Sequence, residues 1–469
     1  MAASAGTSRA PTPTAPRAFA AGLLAVVLLG GGLRLAIAES THPVRLVGDE
    51  VYYAQVAAHL ASGQGHLYVG GLEGEARAWR PPAHPFTLSL VLDPERARRA
   101  DAASDPAQLL ALVRFEVLVG TLLVAATGLL GAALFDARTG LLAGAIAAVH
   151  PALVAQSHML WSEGLFSLLV TLSLAAAVRA GSRPRLTWVL LAGIGFGLGA
   201  LTRELSLAVA AACAAWWLSV APREARGTAV ASGALALGLA LLVVLPWTLR
   251  NASVLGRVVP VSTVGWFALA EGNALEHPDW MRPEGPEQRR FHARYFTLRD
   301  EALRLDYARG FALERIRAEQ PGWVLRKAVR NLALMLSPDE VLRTKLRRGA
   351  YGDLAPVEVR SLLAATIPFW MALYCAAVVG IAAARDGGRR RLAVLVLAVV
   401  AAVHVAANAT PRFRLPWLPL LAAYASHALL GGGATLRRID RAGAIGAIAA
   451  LCFFFAVAIP YYAIFGGRR

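Results

Sequence analysis

Apolar runs of about 20 residues recur from one end of this chain to the other, near 18–38, 111–134, 140–157, 162–179, 187–202, 204–220, 229–249, 361–384, 391–408, 413–430 and 442–465. A run of that length crosses a hydrocarbon core of roughly 30 Å as a helix, which satisfies its own backbone hydrogen bonds. The pattern predicts an all-α polytopic membrane protein with about 11 (11–13) transmembrane helices. Residues 1–17 form a polar tail, and 18–465 a single transmembrane domain.

Two segments are too long and polar to be turns, 39–110 and 250–360. In the first, Val51, Ala54, Ala58 and Leu60 recur at near-helical spacing ahead of glycines, which predicts a short amphipathic helix lying on the membrane. In the second, "YARGFALERIRAEQPGWVLRKAVRNLALML" predicts two more such helices, parted at Pro321. The block "RARRADAASDPAQ" after Leu92 interrupts an apolar stretch that begins at Pro85, and reads as an exposed insertion.

Composition agrees with the pattern: of 469 residues, 57% are hydrophobic and 16% charged, against about 25% charged in soluble domains. The net charge of +17 would suggest nucleic acid in a soluble protein, but here the arginines are first counted against the positive-inside rule. With the N-terminus cytoplasmic, fifteen arginines flank the inner ends (9, 17, 138, 179, 183, 185, 223, 226, 385, 389, 390, 391, 437, 438 and 441) against three, Arg203, Arg412 and Arg414, in the short outer turns. Both long polar segments then fall outside. An odd number of spans also places Arg468 and Arg469 outside, against the rule. The three cysteines, Cys213, Cys375 and Cys452, all lie in apolar runs, so neither a disulfide framework nor a zinc cluster is implied.

Ionisable side chains are costly within a bilayer and therefore informative. Arg34, Arg114, Glu116, His150, Glu163, Arg203, Glu204, Arg250, Arg412 and Arg414 gather toward the outer helix ends, the side that carries Asp49, Glu50, Arg80 and His84. The two runs at 187–220 are each about 16 residues, or roughly 24 Å, so their turn "LTRE" is expected to dip below the outer surface. A basic, partly buried outer cavity follows, suited to an anionic lipid head group. A transporter would instead place charge near the midplane, where His404 is the one candidate.

In order along the chain, "GDEVYYAQVAAHLASGQG", "WRPPAHPF", "SEGLFSLL", "LTRE", "PWTLRN" and "PRFRLPWLPLL" resemble the GT-C glycosyltransferases, and among them the bacterial relatives of the protein O-mannosyltransferases and of the lipid A aminoarabinose transferase. The resemblance runs from about residue 18 to 430. It implies a GT-C fold and an inverting transfer of sugar from a polyprenyl-phosphate donor to an acceptor glycolipid, polysaccharide or protein at the extracytoplasmic face of a bacterial cytoplasmic (inner) membrane. No nucleic acid takes part, and no cofactor or metal is strictly required. It also implies that Asp49 is the catalytic acidic side chain, that Tyr52 and Tyr53 belong to the same motif, and that Arg80 contacts phosphate. Trp79 stands where the aminoarabinose branch carries an acidic residue.

Such a transfer needs a base for the acceptor hydroxyl and cations for the leaving phosphate. Asp49 is the candidate base; following Gly48, it is equally placed to cap a helix. Glu50 is grouped with it in the catalytic motif, in an orienting role. Arg80, His84, Glu163, Arg203, Arg250, Asn251, Arg412 and Arg414, with Tyr52 and Tyr53, are candidates for donor phosphate or sugar, and Asn273 for sugar. The same arginines would also serve as lipid anchors, and Glu163 as a complement to a helix N-terminus. A flippase for a lipid-linked saccharide, a scaffold, or a polysaccharide ligase using a pyrophosphate-linked donor are the competing functions.

Overall fold

Described in a computed structural model are residues 15–41, 46–70, 74–99, 105–274, 285–338, 342, 346, 351–352 and 355–465. The N-terminal tail with Arg9, part of the insertion, and Arg468 and Arg469 lie outside them. The chain is all-α; the single β-bridge among these residues joins Tyr68 to Ala76. In order, the helices are α1 Ala15–Thr41, α2 Asp49–Ala61, α3 Ala83–Ser89, α4 Pro94–Ala97, α5 Pro106–Leu134, α6 Ala137–Val149, α7 Pro151–Gln156, α8 Ser162–Ala180, α9 Leu186–Ala200, α10 Leu205–Val220, α11 Arg226–Leu255, α12 Val264–Asn273, α13 Pro286–Thr297, α14 Glu301–Ala318, α15 Trp323–Leu336, α16 Pro356–Ala383, α17 Arg389–Ala406, α18 Leu418–Leu436 and α19 Arg441–Phe453.

Six helices among the described residues are long and apolar enough to cross a membrane, and α6, α9 and α10 are shorter apolar helices. The protein is a multi-pass membrane protein. α5 packs on α1, α6 and α8, α9 on α8 and α11, and α16 on α18. Without a hydrophobic drive between helices in lipid, close packing of small residues supplies the attraction. On α9, a Cβ at Gly193 would lie 2.8 Å from the Ala236 carbonyl, and one at Gly197 2.9 Å from that of Ala240. These two glycines, one turn apart, set how closely α9 and α11 approach.

Three predicted spans are not continuous. The 140–157 run breaks at His150, because Pro151 has no N–H for the Ala147 carbonyl and the Ala152 N–H turns to His150 Nδ1 at 3.2 Å. Arg34 of α1 caps the broken end, donating to the carbonyls of Ala147 (2.9 Å) and Ala148 (2.8 Å) and to Ser157 Oγ (3.0 Å). The 413–430 run opens with a tight 3-10 segment, Pro411–Trp417, before α18, and the last run passes through a π-turn at Phe454–Ala458. Arg34→Met strands carbonyls in a dry interior at about 1–3 kcal/mol apiece. The purified variant is therefore expected to melt several degrees below wild type by scanning fluorimetry.

The amphipathic helix expected after Gly48 is α2; of the face drawn from Val51, Ala54, Ala58 and Leu60, Ala54 and Ala58 are buried and Leu60 is half-buried, and the buried face is wider than expected. Tyr52, Tyr53, Val56 and Ala57 are buried, whereas Val51 is exposed, because α2 packs against α3 and α4 as well as the core. The second long polar segment holds α14 and α15 on either side of Pro321, as expected, and also α12 and α13. α3 precedes the supposed insertion and α4 overlaps its start, and Gln108 of α5 holds the turn before α4: its side chain accepts from the Asp93 N–H at 3.0 Å and donates to the Asp93 carbonyl at 3.1 Å.

The two long polar segments are sewn together. The N–H groups of Thr263 and Val264 donate to the carbonyls of Ala78 and Trp79 at 2.9 and 3.0 Å. Buried Glu301 accepts from the N–H groups of Arg77 and Ala78 at 2.6 and 3.2 Å, and from Thr263 Oγ1 at 2.9 Å. This seam fixes the backbone that carries Arg80.

Candidate active site

α2 begins at Asp49 because Gly48 adopts a positive φ of 62° that turns the chain into the helix. Gly48, not Asp49, stands at the N-cap position, so the capping role does not fall to Asp49. Its two oxygens face two guanidinium groups instead: Oδ1 accepts from Arg80 Nη2 at 2.7 Å and Oδ2 from Arg412 Nη2 at 2.5 Å. Arg412 also lies 3.1 Å from Glu163 Oε1, and Arg203 reaches the same oxygen at 2.8 Å. The result is one continuous chain of charge: Arg80, Asp49, Arg412, Glu163, Arg203.

Aromatic rings hold these cations. Arg80 lies over Tyr52, Tyr53 and Trp79 at 5.5, 5.7 and 5.2 Å, Arg412 over Trp161 and Phe413 at 4.9 and 5.4 Å, and Arg203 over Phe413 at 5.0 Å. The Tyr52 hydroxyl accepts from the Arg80 N–H at 3.3 Å. Side chains of Arg80, Asp49, Arg203 and Arg412 are 17–23% exposed and Glu163 is 2% exposed, so the chain of charge opens outward and is closed behind Glu163. Burial alone would raise the Asp49 pKa; Arg80 and Arg412 outweigh it and hold the carboxyl well below the usual carboxylate range. The buried Nε–H of Arg80 has no partner among the described residues.

His84, on α3, is fully buried, edge-on to Tyr53 at 4.6 Å between ring centroids, with Glu116 Oε1 3.6 Å from its Nε2. Burial pushes its pKa down to about 4, so the ring is neutral at pH 7. It supports Tyr53 from behind and is closed off from the exposed side of the site.

Other expected residues are elsewhere. Glu50 is buried, and its carboxylate accepts from the N–H groups of Val47 (3.0 Å) and Leu160 (3.2 Å), which braces α2 against the start of α8. Arg250 donates to the Arg77 carbonyl at 2.6 Å and stacks on Trp247 at 4.5 Å. Asn251 closes the turn after α11 through the carbonyls of Val259 and Val261, both at 3.0 Å. Arg414 is buried over Trp370 at 4.1 Å and donates to the carbonyls of Met335 and Ser337. Asn273 binds the Leu269 and Ala406 carbonyls and the Trp323 indole. These four tie backbone or neighbouring side chains together, apart from Asp49. His404 likewise bonds the Asn408 carbonyl at 3.1 Å.

Sequence reasoning missed Trp161, Ser162 and Phe413, which complete the site's wall; Ser162 Oγ accepts from Arg203 at 3.4 Å. Each adjoins a residue that was singled out, and that adjacency is the signal. Among the described residues no three His, Cys, Asp or Glu side chains gather as metal ligands. Guanidinium groups flank both Asp49 and Glu163 and would repel a cation placed between them.

Residues 107–249 match the family described as dolichyl-phosphate-mannose-protein mannosyltransferase. No curated protein sequence matches the chain. Among solved structures, the Archaeoglobus fulgidus oligosaccharyltransferase in complex with Zn and sulfate superposes with a TM-score of 0.51 at 17% identity, over 94% of this chain and 52% of that one. The same organism's AglB, in complex with an inhibitory peptide and a dolichol-phosphate, gives 0.53 at 14% identity, over 95% and 56%. ArnT from Cupriavidus metallidurans bound to undecaprenyl phosphate gives 0.40 at 13%, over 90% and 78%. The chain spans about half the length of the oligosaccharyltransferases it matches. The fold is therefore that of the GT-C membrane proteins. The mannosyltransferase match lies on α5 to α11.

Proposed function

We propose that the protein is an inverting glycosyltransferase that takes a sugar from a polyprenyl-phosphate donor and gives it to an acceptor hydroxyl at the extracytoplasmic face of a bacterial inner membrane. The supporting observation is the charge of the site: three guanidinium groups, on Arg80, Arg203 and Arg412, against two carboxylates, on Asp49 and Glu163. One positive charge is left over, which matches the single negative charge of a sugar phosphodiester. A pyrophosphate-linked donor brings a second negative charge that this set leaves unmatched, so the ligase reading is the weaker one.

In the proposed reaction Asp49 takes the acceptor O–H proton. The acceptor oxygen forms a bond to the anomeric carbon as the bond from that carbon to the phosphate oxygen breaks. The polyprenyl phosphate leaves as a dianion, and the charge lost at Asp49 reappears on the phosphate. Arg80 and Arg412, which face Asp49 directly, are placed to receive it. The dolichol-phosphate held by AglB agrees with a lipid-phosphate donor. The acceptor class, a glycolipid, a polysaccharide or a protein, is open in this proposal.

The test is the full chain in nanodiscs with polyprenyl-phosphate sugars labelled in the sugar and a membrane extract as acceptor. Label is expected to leave the lipid, with the released polyprenyl phosphate in equal amount, and chelator at fixed pH is expected to leave the rate unchanged. Passage of intact donor across a vesicle with no transfer would establish the flippase instead.

A further inference from the structure

In the structure both oxygens of Asp49 are occupied by cations, an arrangement unsuited to a base. A carboxylate that accepts from Arg80 at 2.7 Å and Arg412 at 2.5 Å has little pull left for an acceptor proton. The same two guanidiniums are the groups best placed to grip donor phosphate. They cannot serve both anions fully at once.

We infer that donor phosphate competes with Asp49 for Arg80 and Arg412, and that its arrival frees the carboxylate to act as base only when a donor is in place. The inference rests on the glycosyl-transfer reading and adds the control of its base. The geometry favours exchange over simple addition. Arg412 is shared with Glu163, so its guanidinium keeps one anchor while the other changes, and the Nε–H of Arg80 has no partner among the described residues. Aromatic faces hold both cations from the side and stay in contact as the ion pair turns over. The groups around Asp49 are Tyr53 on its own helix, Tyr68, Arg80, Glu163 of α8, Arg203 of the turn before α10, and Arg412. None of these carboxylates or phenols replaces a lost cation partner, so the charge balance at Asp49 follows the two arginines. Without donor the base is held silent, and an adventitious hydroxyl or water is not activated.

The test is equilibrium binding of polyprenyl phosphate to the full chain in nanodiscs. Asp49→Asn removes the competing anion, so the lipid is expected to bind tighter by about tenfold. Weaker binding by a variant with wild-type melting overturns the exchange, because Asp49 would then be organising the arginines for phosphate. Tighter binding with turnover intact leaves the exchange standing and removes Asp49 as base, so the two ideas fail separately. Should the variant not fold, wild type carrying ¹³C-labelled aspartate gives a second readout. Adding polyprenyl phosphate is expected to shift an aspartate carboxylate stretching band, and an unchanged spectrum at saturation overturns the exchange.

Discussion

Asp49→Asn is expected to lower sugar transfer by about 10²–10⁴-fold, the usual contribution of a general base, while the protein still binds polyprenyl phosphate. Asparagine keeps the size and one oxygen for a guanidinium, so the loss isolates proton acceptance from shape. The pH profile makes the same point in wild type. Because Arg80 and Arg412 hold the free protein's Asp49 well below the usual range, kcat/KM, which reports the free enzyme, is expected to stay flat to below about pH 4. With phosphate sharing those arginines the carboxyl pKa rises, so the acid limb of kcat is expected at a higher pH than that of kcat/KM. Coincident limbs would show that donor leaves Asp49 untouched.

Arg412→Ala is the second large effect. This side chain bridges the two carboxylates, 2.5 Å from Asp49 and 3.1 Å from Glu163, and its removal takes the site from one surplus positive charge to none. kcat/KM is expected to fall about 10²–10³-fold, as for loss of a preorganised donor to a developing anion. Two residues on, Arg414→Ala should behave oppositely. It strands the carbonyls of Met335 and Ser337 and uncovers Trp370, so melting temperature drops while affinity for polyprenyl phosphate is kept. Equal losses of lipid affinity in both variants would contradict the placement of the two side chains.

That contrast shows where sequence runs out. Helices follow from runs of apolar residues, and each expected span carries helix, three of them with a break. The depth at which arginines gather was visible for the same reason, since buried charge is rare in such runs. Direction was not visible. Arg412 and Arg414 both follow Pro411, but the tight 3-10 turn that begins there sends one to Asp49 and the other to backbone carbonyls. Breaks at Pro151 and in the turn Pro411–Trp417 were legible as residues, yet a long apolar stretch was read through them. Arg34 was noted for its charge, but its partners, the carbonyls left open by Pro151, became apparent only once the broken helix was in view. Arg250, Asn251 and Asn273 sit in matching motifs and still serve the backbone, because polar side chains near a helix end find free carbonyls close by.

Under the proposed function, the seam between the two long polar segments ties recognition to grip. Arg80 is carried on backbone that bonds to Thr263 and Val264 and is sealed by Glu301, so a bulky guest that tilts α12 or α14 is expected to retune how firmly a lipid phosphate is clasped. Divergence among related chains in whatever molecule they decorate would then register as altered lipid affinity as well, even where every residue around Asp49 is kept.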